Sequence, residues 1–84
     1  MDWALYAWVK RGSRRKDLLK LLLRSKHPLT ANEIKNELKI SLSQVSFLLK
    51  ELSKKDLISC LNPKDNIGKI YKITQKGEEI LREI

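Results

Sequence analysis

A chain of 84 residues is shorter than the commonest domain size of roughly 100–150 residues, so we expect one small hydrophobic core and no second folded domain. The formal net charge of +8 favours a negatively charged partner, either nucleic acid or an anionic membrane surface. The single Cys60 excludes an internal disulfide, and together with the lone His27 it supplies too few ligands for zinc, so we expect no metal and a reducing compartment.

The first twelve residues predict a helix rich in aromatic side chains. The stretch MDWALYAWV is too short to span a bilayer and lacks the features of a signal peptide, which predicts a cytoplasmic protein with no membrane partner. Gly12 is predicted to end this helix in the left-handed conformation, and Ser13 to cap the next helix. That second helix, about Ser13 to Ser25, carries so wide an arc of leucines that it is predicted to cross the centre of the core.

Pro28 is predicted to stop the second helix and to begin a short extended segment, because proline has no amide hydrogen. The sequence TANE, from Thr30 to Glu33, is a capping box and marks the start of a short third helix. A polar turn follows, after which Ser41 or Ser43 caps a fourth helix. The middle of the chain therefore predicts two short helices joined by a tight turn.

The fourth helix has two faces of different chemistry. Its apolar residues follow the spacing of a core-facing stripe; they are Val45, Leu48, Leu49 and Leu52. The opposite face has no acidic residue, which is unusual for a merely solvated face; it consists of Ser43, Gln44, Ser46, Phe47, Lys50 and Lys54. Beyond this helix, LISCLN and KIYKIT predict two strands joined by the turn-rich PKDNIG, and QKGEEILREI predicts a short last helix.

The order of these elements resembles the winged helix-turn-helix domain of small archaeal and bacterial transcription regulators of the MarR/ArsR-like superfamily. The resemblance rests on PLTANEIKNEL, SLSQVSFLLKELSKKDLI and GKIYKITQKGEEIL, which together span most of the chain. It implies a mainly α fold with a small β-hairpin (α+β) and an extra N-terminal helix. Within one domain, residues 1–12 are then the N-terminal helix, 30–54 the helix-turn-helix, 57–74 the wing hairpin and 75–84 the C-terminal helix. It also implies a left-handed residue at Asp56, where the family usually has glycine.

In a fold of this kind, the outward face of the fourth helix enters the major groove of double-stranded DNA. There Gln44 can pair with an adenine edge and Phe47 can contact a thymine methyl, although Phe47 can also pack on a neighbouring element or be singly exposed. The wing is expected to contact phosphate or an A·T-rich minor groove, and the amides that open the third helix to hold a further phosphate. The predicted DNA contacts are Thr30, Asn32, Ser41, Ser43, Gln44, Ser46, Phe47, Lys50, Lys54, Lys64, Asn66 and Lys69.

Two further groups of residues have predicted roles outside the helix-turn-helix. Arg14 and Arg15 open the second helix, where the helix dipole disfavours cations, so they are expected to contact a DNA phosphate or a partner carboxylate, or else to serve solubility alone. Apolar residues near both termini predict a homodimer interface, because so small a core gains from further burial, although they can instead cover the core of their own chain. The predicted interface residues are Trp3, Leu5, Tyr6, Trp8, Val9, Ile80, Leu81 and Ile84.

The sequence thus predicts a sequence-specific, homodimeric DNA-binding transcription regulator. It contains no paired carboxylates on a shared face, no glycine-rich phosphate loop and no nucleophile with a base, so we expect no enzyme, no cofactor and no small-molecule effector. Two alternatives stay open. One is an architectural protein that binds the DNA backbone without sequence preference, and the other is a protein-interaction module that binds through Phe47 and the N-terminal aromatic residues.

Overall fold

The computed structural model describes residues 1–84, which form five helices and one small sheet. In chain order the elements are α1 (Trp3–Arg11), α2 (Ser13–Arg24), β1 (Leu29–Thr30), α3 (Ala31–Leu38), α4 (Leu42–Lys54), β2 (Ile58–Cys60), β3 (Ile70–Ile73) and α5 (Gln75–Glu83). The sheet is antiparallel with strand order β1-β3-β2. The predicted α+β fold with a small β-hairpin and an extra N-terminal helix is confirmed. None of the helices has the length and apolar character needed to cross a membrane.

The hydrophobic core lies between α2, α4 and the sheet. Leu18 and Leu19 of α2 are fully buried, and the four apolar residues predicted for the core-facing stripe of α4 are all buried. The arc on α2 is narrower than predicted, because Leu23 in its last turn is 48% exposed beside Leu61. The periodic pattern therefore predicted the buried residues of α4 correctly, and it predicted those of α2 correctly except at the end of that helix.

The two helices of the helix-turn-helix begin at reciprocal caps. The Glu33 amide donates to Thr30 Oγ1 (3.2 Å) while the Thr30 amide donates to Glu33 Oε1 (2.9 Å). The hydrogen bonds from Thr30 hold the pKa of Glu33 below its usual value, so the ionised carboxylate is the form that caps α3. Ser41, not Ser43, caps α4, and it forms the same arrangement with Gln44. The capping box predicted at Thr30 is confirmed.

The junction between α1 and α2 differs from the prediction. Gly12 has φ −105° and ψ 98°, which is extended and not left-handed, and Ser13 is the first residue of α2 with no side-chain cap before it. A Cβ at Gly12 would lie 2.6 Å from Cδ of Arg15, so a larger residue here would have to displace that side chain. The single-residue junction thus brings the first turn of α2 directly against the end of α1.

Two residues with positive φ set the tight turns around α4. Asp56 has φ 60°, which confirms the left-handed turn implied by the resemblance, and its carbonyl accepts a hydrogen bond from Thr74 Oγ1 (2.7 Å). Lys39, at the end of α3, has φ 56°, which the sequence did not predict. These turns fix the directions in which the chain enters and leaves α4.

The loop between β2 and β3, which forms the wing, is braced by Asn62. Its Oδ1 accepts from the Ile70 amide (2.8 Å), and its Nδ2 donates to the Gly68 carbonyl (3.1 Å) and to Asp65 Oδ2 (2.9 Å). One side chain therefore links both ends of the loop. This bracing holds the tip of the wing in a defined position relative to the sheet.

Candidate nucleic-acid interface

A groove of about 570 Å³ separates α4 from the wing and the start of α3; we call it the wing groove. Its thirteen lining residues include two lysines and no acidic residue. They are Thr30, Ala31, Asn32, Leu42, Ser46, Leu49, Lys50, Ser53, Asn66, Ile67, Gly68, Lys69 and Tyr71. The groove therefore combines positive charge and hydrogen-bonding groups with an apolar floor.

The outward face of α4 is divided between two clefts. Ser46 and Lys50 line the wing groove, whereas Ser43, Gln44 and Phe47 line a second cleft beside the junction of α1 and α2. All six residues predicted for this face are exposed, but Lys54 lies apart, near the start of α1. The face is continuous along the first turns of α4 and does not extend to its end.

Phe47 is 63% exposed, so most of its ring has no partner within the chain. Of the roles predicted for this residue, packing on a neighbouring helix covers only a minor part of the ring. A ring so exposed on a face without acids is available to a base edge, and it is equally available to another protein.

Gln44 already has partners within the chain. Its Oε1 accepts from the Ser41 amide (3.1 Å) and from Arg14 Nη1 (3.5 Å). Bidentate recognition of adenine uses the same oxygen as acceptor from the base, together with the amide nitrogen as donor. Readout of adenine by Gln44 therefore competes with these two contacts for the same oxygen.

The start of α3 holds less phosphate-binding capacity than predicted. The Thr30 amide is occupied by Glu33 Oε1, and this carboxylate brings negative charge to the helix start. The amides of Ala31 and Asn32, in the first turn, have no intrahelical acceptor and belong to residues that line the wing groove. Phosphate binding at this position would therefore depend on these two amides and not on Thr30.

The predicted wing residues also differ in whether they line the wing groove. Asn66 and Lys69 line the wing groove opposite Lys50, which places cations on both of its walls. Lys64 is exposed on the loop but does not line the groove. Lys69 is half-buried, so its position is better defined than that of Lys64.

Arg14 and Arg15, which the sequence groups together, have different surroundings. Arg14 is exposed. Arg15 is half-buried, its Nη1 donates to the Trp8 carbonyl (2.6 Å) and its Nη2 lies 3.5 Å from Glu51 Oε2. Its guanidinium lies 3.9 Å from the centre of the Trp8 ring. The phosphate contact predicted for Arg15 is corrected, because the anion beside it is Glu51 of the same chain.

The predicted dimer interface also needs correction. Leu5, Val9 and Ile80 belong to the core of their own chain, because the amphipathic α1 and α5 each turn one stripe inward. Trp8 is half-buried between the side chains of Arg15 and Lys55. Apart from Trp8, the residues that remain at least partly exposed for a partner are Trp3, Tyr6, Leu81 and Ile84.

Two apolar residues of the site were not predicted. Ile67, at the tip of the wing, is 91% exposed, and Leu42, the first residue of α4, is also exposed. Both line the wing groove. The sequence held a signal for Ile67, since an aliphatic residue between Asn66 and Gly68 lies in a turn and has no core to enter.

Several solved structures share this fold. A MepR mutant from a multidrug-resistant clinical isolate of Staphylococcus aureus is 26% identical, with a TM-score of 0.76 over 84% of this chain and 52% of its own. Another MepR mutant from the same species, bound to an oligodeoxyribonucleotide, is 24% identical, with a TM-score of 0.76 over 88% and 57%. A MarR-family transcriptional regulator from Rhodococcus is 22% identical, with a TM-score of 0.71 over 84% and 51%.

The chain therefore has the winged helix-turn-helix fold of MarR-family transcription regulators, and the resemblance found in the sequence is confirmed. In this fold α3 and α4 are the helix-turn-helix, and β2, β3 and their loop are the wing. The chain spans about half the length of the solved structures it matches. The sequence matches no protein-family model and no curated protein.

Proposed function

We propose that this chain is a homodimeric transcription regulator that binds specific sites on double-stranded DNA through α4 and the wing. The observation that carries the proposal is the acid-free wing groove, with Lys50 on one wall and Lys69 on the other. The net charge of +8 and the MepR structure bound to an oligodeoxyribonucleotide support it. An acid-free, positively charged groove beside an exposed helix face suits the alternating grooves and phosphates of a duplex.

The proposed binding mode assigns a different part of the duplex to each wall. The exposed first turns of α4 enter the major groove, where Gln44, Ser46 and Phe47 reach base edges. The wing then lies over the adjacent minor groove, and the sugar-phosphate backbone between the two runs along the wing groove. Lys50, Lys69 and the amide of Asn32 contact this backbone and fix the register of α4.

We expect the affinity for duplex DNA to fall with salt at a slope of about −0.9 per phosphate contact. We expect Lys64→Ala and Lys69→Ala each to lower the affinity for every duplex by the same factor. Each should also lower the salt slope by about one unit. Gln44→Ala and Phe47→Ala should instead lower affinity for a preferred site by about 1–3 kcal/mol and leave random DNA unchanged. Fluorescence anisotropy on a selected duplex and its scrambled version, over a salt series, measures both effects.

Gln44→Ala also removes half of a capping box, so a matched control is needed. Gln44→Glu keeps an acceptor for the Ser41 amide but cannot donate to adenine N7. The Gln44→Glu variant should melt near the unsubstituted protein while losing preference in the same way as the alanine variant. An unchanged ratio of affinities in the Gln44 and Phe47 variants would contradict base readout by α4.

The engagement of Gln44 in its capping box favours one alternative, an architectural protein that binds backbone alone. That alternative predicts equal affinity for both duplexes together with the full salt slope. A flat salt response would favour the protein-interaction module, whose contact residue would be the exposed Phe47. The same experiment therefore separates all three functions.

The homodimer is the second part of the proposal and rests on exposed apolar residues of α1 and α5. Trp3 is 62% exposed and meets Tyr6 edge-on at 5.5 Å between ring centres. Aromatic residues of this kind contribute strongly to interfaces, because they bury a large apolar area with little loss of side-chain freedom. A twofold interface would place Trp3 and Ile84 against the same residues of a second copy.

We expect Trp3→Ser to shift the dimer toward the monomer without unfolding the chain, because the exposed Trp3 contributes little to the core. Sedimentation velocity over a dilution series measures the shift. Leu61→Ser, at a residue with 50% exposure in the wing hairpin, is the matched control and should leave the dimer intact. A monomer before any substitution, or a dimer unaffected by Trp3→Ser, would remove this interface.

A further inference from the structure

Ile67 is an apolar side chain that the fold leaves almost entirely uncovered. It is 91% exposed, more than any other large hydrophobic residue in the structure. Gly68, with φ +75°, turns the chain directly after it, and a Cβ there would meet nothing within 4 Å, so the tip of the wing stands in open space. The Asn62 brace joins Asp65 and the Gly68 carbonyl, one on each side of Ile67. Hydrogen bonds of Asn62 thus hold the loop on both sides of this side chain.

The surroundings of Ile67 indicate the chemistry of what it contacts. Lys69 and Asn66 lie beside it on the rim of the wing groove, and Lys64 lies earlier on the same loop. The only carboxylate of the loop, Asp65, accepts a hydrogen bond from Asn62 Nδ2. Asp65 keeps its negative charge, so the loop has two lysines against one carboxylate. The tip of the wing is thus a single apolar wedge on a loop with a net positive charge. Its partner needs negative charge on the outside and an apolar surface within.

Duplex DNA has this arrangement, because its phosphates lie on the outside and its stacked bases, which are apolar, can be reached through the minor groove. Aliphatic side chains inserted between base pairs from the minor groove unstack one step and bend the duplex. A rigid wedge suits this role, since a mobile loop would fold back when the stack resisted it. Lysines beside the wedge can hold the phosphates that flank the opened minor groove.

On the basis of the proposed DNA-binding function, we propose that Ile67 inserts between two base pairs from the minor groove and bends the DNA. The preferred step is a pyrimidine–purine step, which unstacks most easily. Lys64 and Lys69 hold the two phosphate strands on either side. Because α4 occupies the adjacent major groove, bending occurs beside the sequence that α4 reads, and the flexibility of that step adds to site preference without a hydrogen bond to any base.

The experiment compares two duplexes of about 30 base pairs, each made only of A·T pairs. One alternates T and A, so that every second step is flexible, and the other is a continuous A-tract, which is stiff. Donor and acceptor dyes at the two ends report bending, and 2-aminopurine in place of some adenines reports unstacking. We expect a bend on the order of 20–90° and a rise in 2-aminopurine emission on the alternating duplex only.

Substitutions separate the wedge from general binding. Ile67→Ala should abolish the bend, the rise in emission and the preference for the alternating duplex, while the salt slope stays unchanged because no charge is lost. Ile67→Leu, which keeps an apolar wedge, should retain all three. Leu61→Ala removes an exposed apolar residue from the base of the same hairpin and should also retain them. The bend is a better readout than the affinity, because burial of the wedge raises the affinity while unstacking of the bases lowers it.

Four outcomes would overturn the proposal. A bend that persists in Ile67→Ala, or binding of the unsubstituted protein with its full salt slope and no bend, would leave DNA binding intact and remove the wedge. The absence of salt-dependent binding to either duplex would remove the proposed function and the wedge together. Loss of the bend in Leu61→Ala as well would assign it to the shape of the whole hairpin and not to Ile67.

Discussion

Replacing Gly77 with alanine is expected to destabilise the domain by about 2–3 kcal/mol, because the added methyl group has no space. Gly77 is buried in the first turns of α5, where a Cβ would collide with the Leu57 carbonyl oxygen and lie 2.7 Å from Cγ1 of Ile73. The carbonyl cannot move aside easily, since it accepts the Thr74 amide (3.0 Å) that ties the start of β2 to the start of α5.

The higher helix propensity of alanine stabilises α5 by about 1 kcal/mol, but this gain is smaller than the cost of displacing a backbone segment. For a domain of 84 residues, the net change should lower the melting temperature by roughly 10–20 °C. Thermal denaturation followed by circular dichroism measures it. Gln75→Ala, two residues earlier and exposed, is the control and should change little. A Gly77→Ala variant that melts at an unchanged temperature would show that α5 does not pack this closely on the sheet.

The parts of the fold that the sequence predicts well depend on residues within one or two helical turns of each other. The stripe of α4 is a periodic pattern, and the Thr30 capping box joins residues three apart, so both follow from local rules. Gly12 shows the limit of such rules. A glycine near a helix end is typical of a left-handed cap, but Gly12 is extended and its neighbour in space is the Arg15 side chain.

The same limit applies to the candidate site, because local spacing predicts only part of it. Helical spacing identified the polar residues on the exposed face of α4 but not Leu42, and it gave no indication that Gln44 and Ser46 line different clefts. That division depends on where the wing and α1 pack, which involves contacts between distant parts of the chain. For the same reason the sequence treated Arg15 as a surface cation, because its partner Glu51 is 36 residues away.

Arg15 joins three helices through one guanidinium group. It belongs to α2, donates to the Trp8 carbonyl near the end of α1, stacks on the Trp8 ring and reaches Glu51 of α4. Lys55, after the end of α4, lies on the Trp8 ring as well, at 5.4 Å. The first turn of α2 thus sets the position of α1 against the helix proposed to read DNA.

Arg15→Ala is therefore expected to destabilise the domain by about 2–3 kcal/mol. A hydrogen bond from a charged donor contributes about 1.5–3 kcal/mol and a stacked cation about 0.5–2 kcal/mol, but one guanidinium makes both contacts, so the two values do not add. The contact with Glu51 adds little, because its nitrogen and oxygen atoms lie 3.5 Å apart, which is long for a hydrogen bond. The melting temperature should fall by roughly 10–20 °C. Arg15→Lys keeps the charge but loses the planar guanidinium group. Its melting temperature should therefore lie between those of the unsubstituted protein and Arg15→Ala.

Arg14→Ala is the matched control, because it removes the same side chain one position earlier. Arg14 is exposed and makes one long contact with Gln44, so its loss should change stability by less than about 0.5 kcal/mol. The effects on DNA binding should be reversed, since Arg14 lines the cleft beside the outward face of α4 and is free to meet a phosphate. Measured below both melting temperatures, Arg14→Ala should lower the salt slope by about one unit, whereas Arg15→Ala should leave it unchanged. If Arg15→Ala instead lowered the slope and left the melting temperature unchanged, Arg15 would be a phosphate contact and its bridge between Trp8 and Glu51 would have no structural weight.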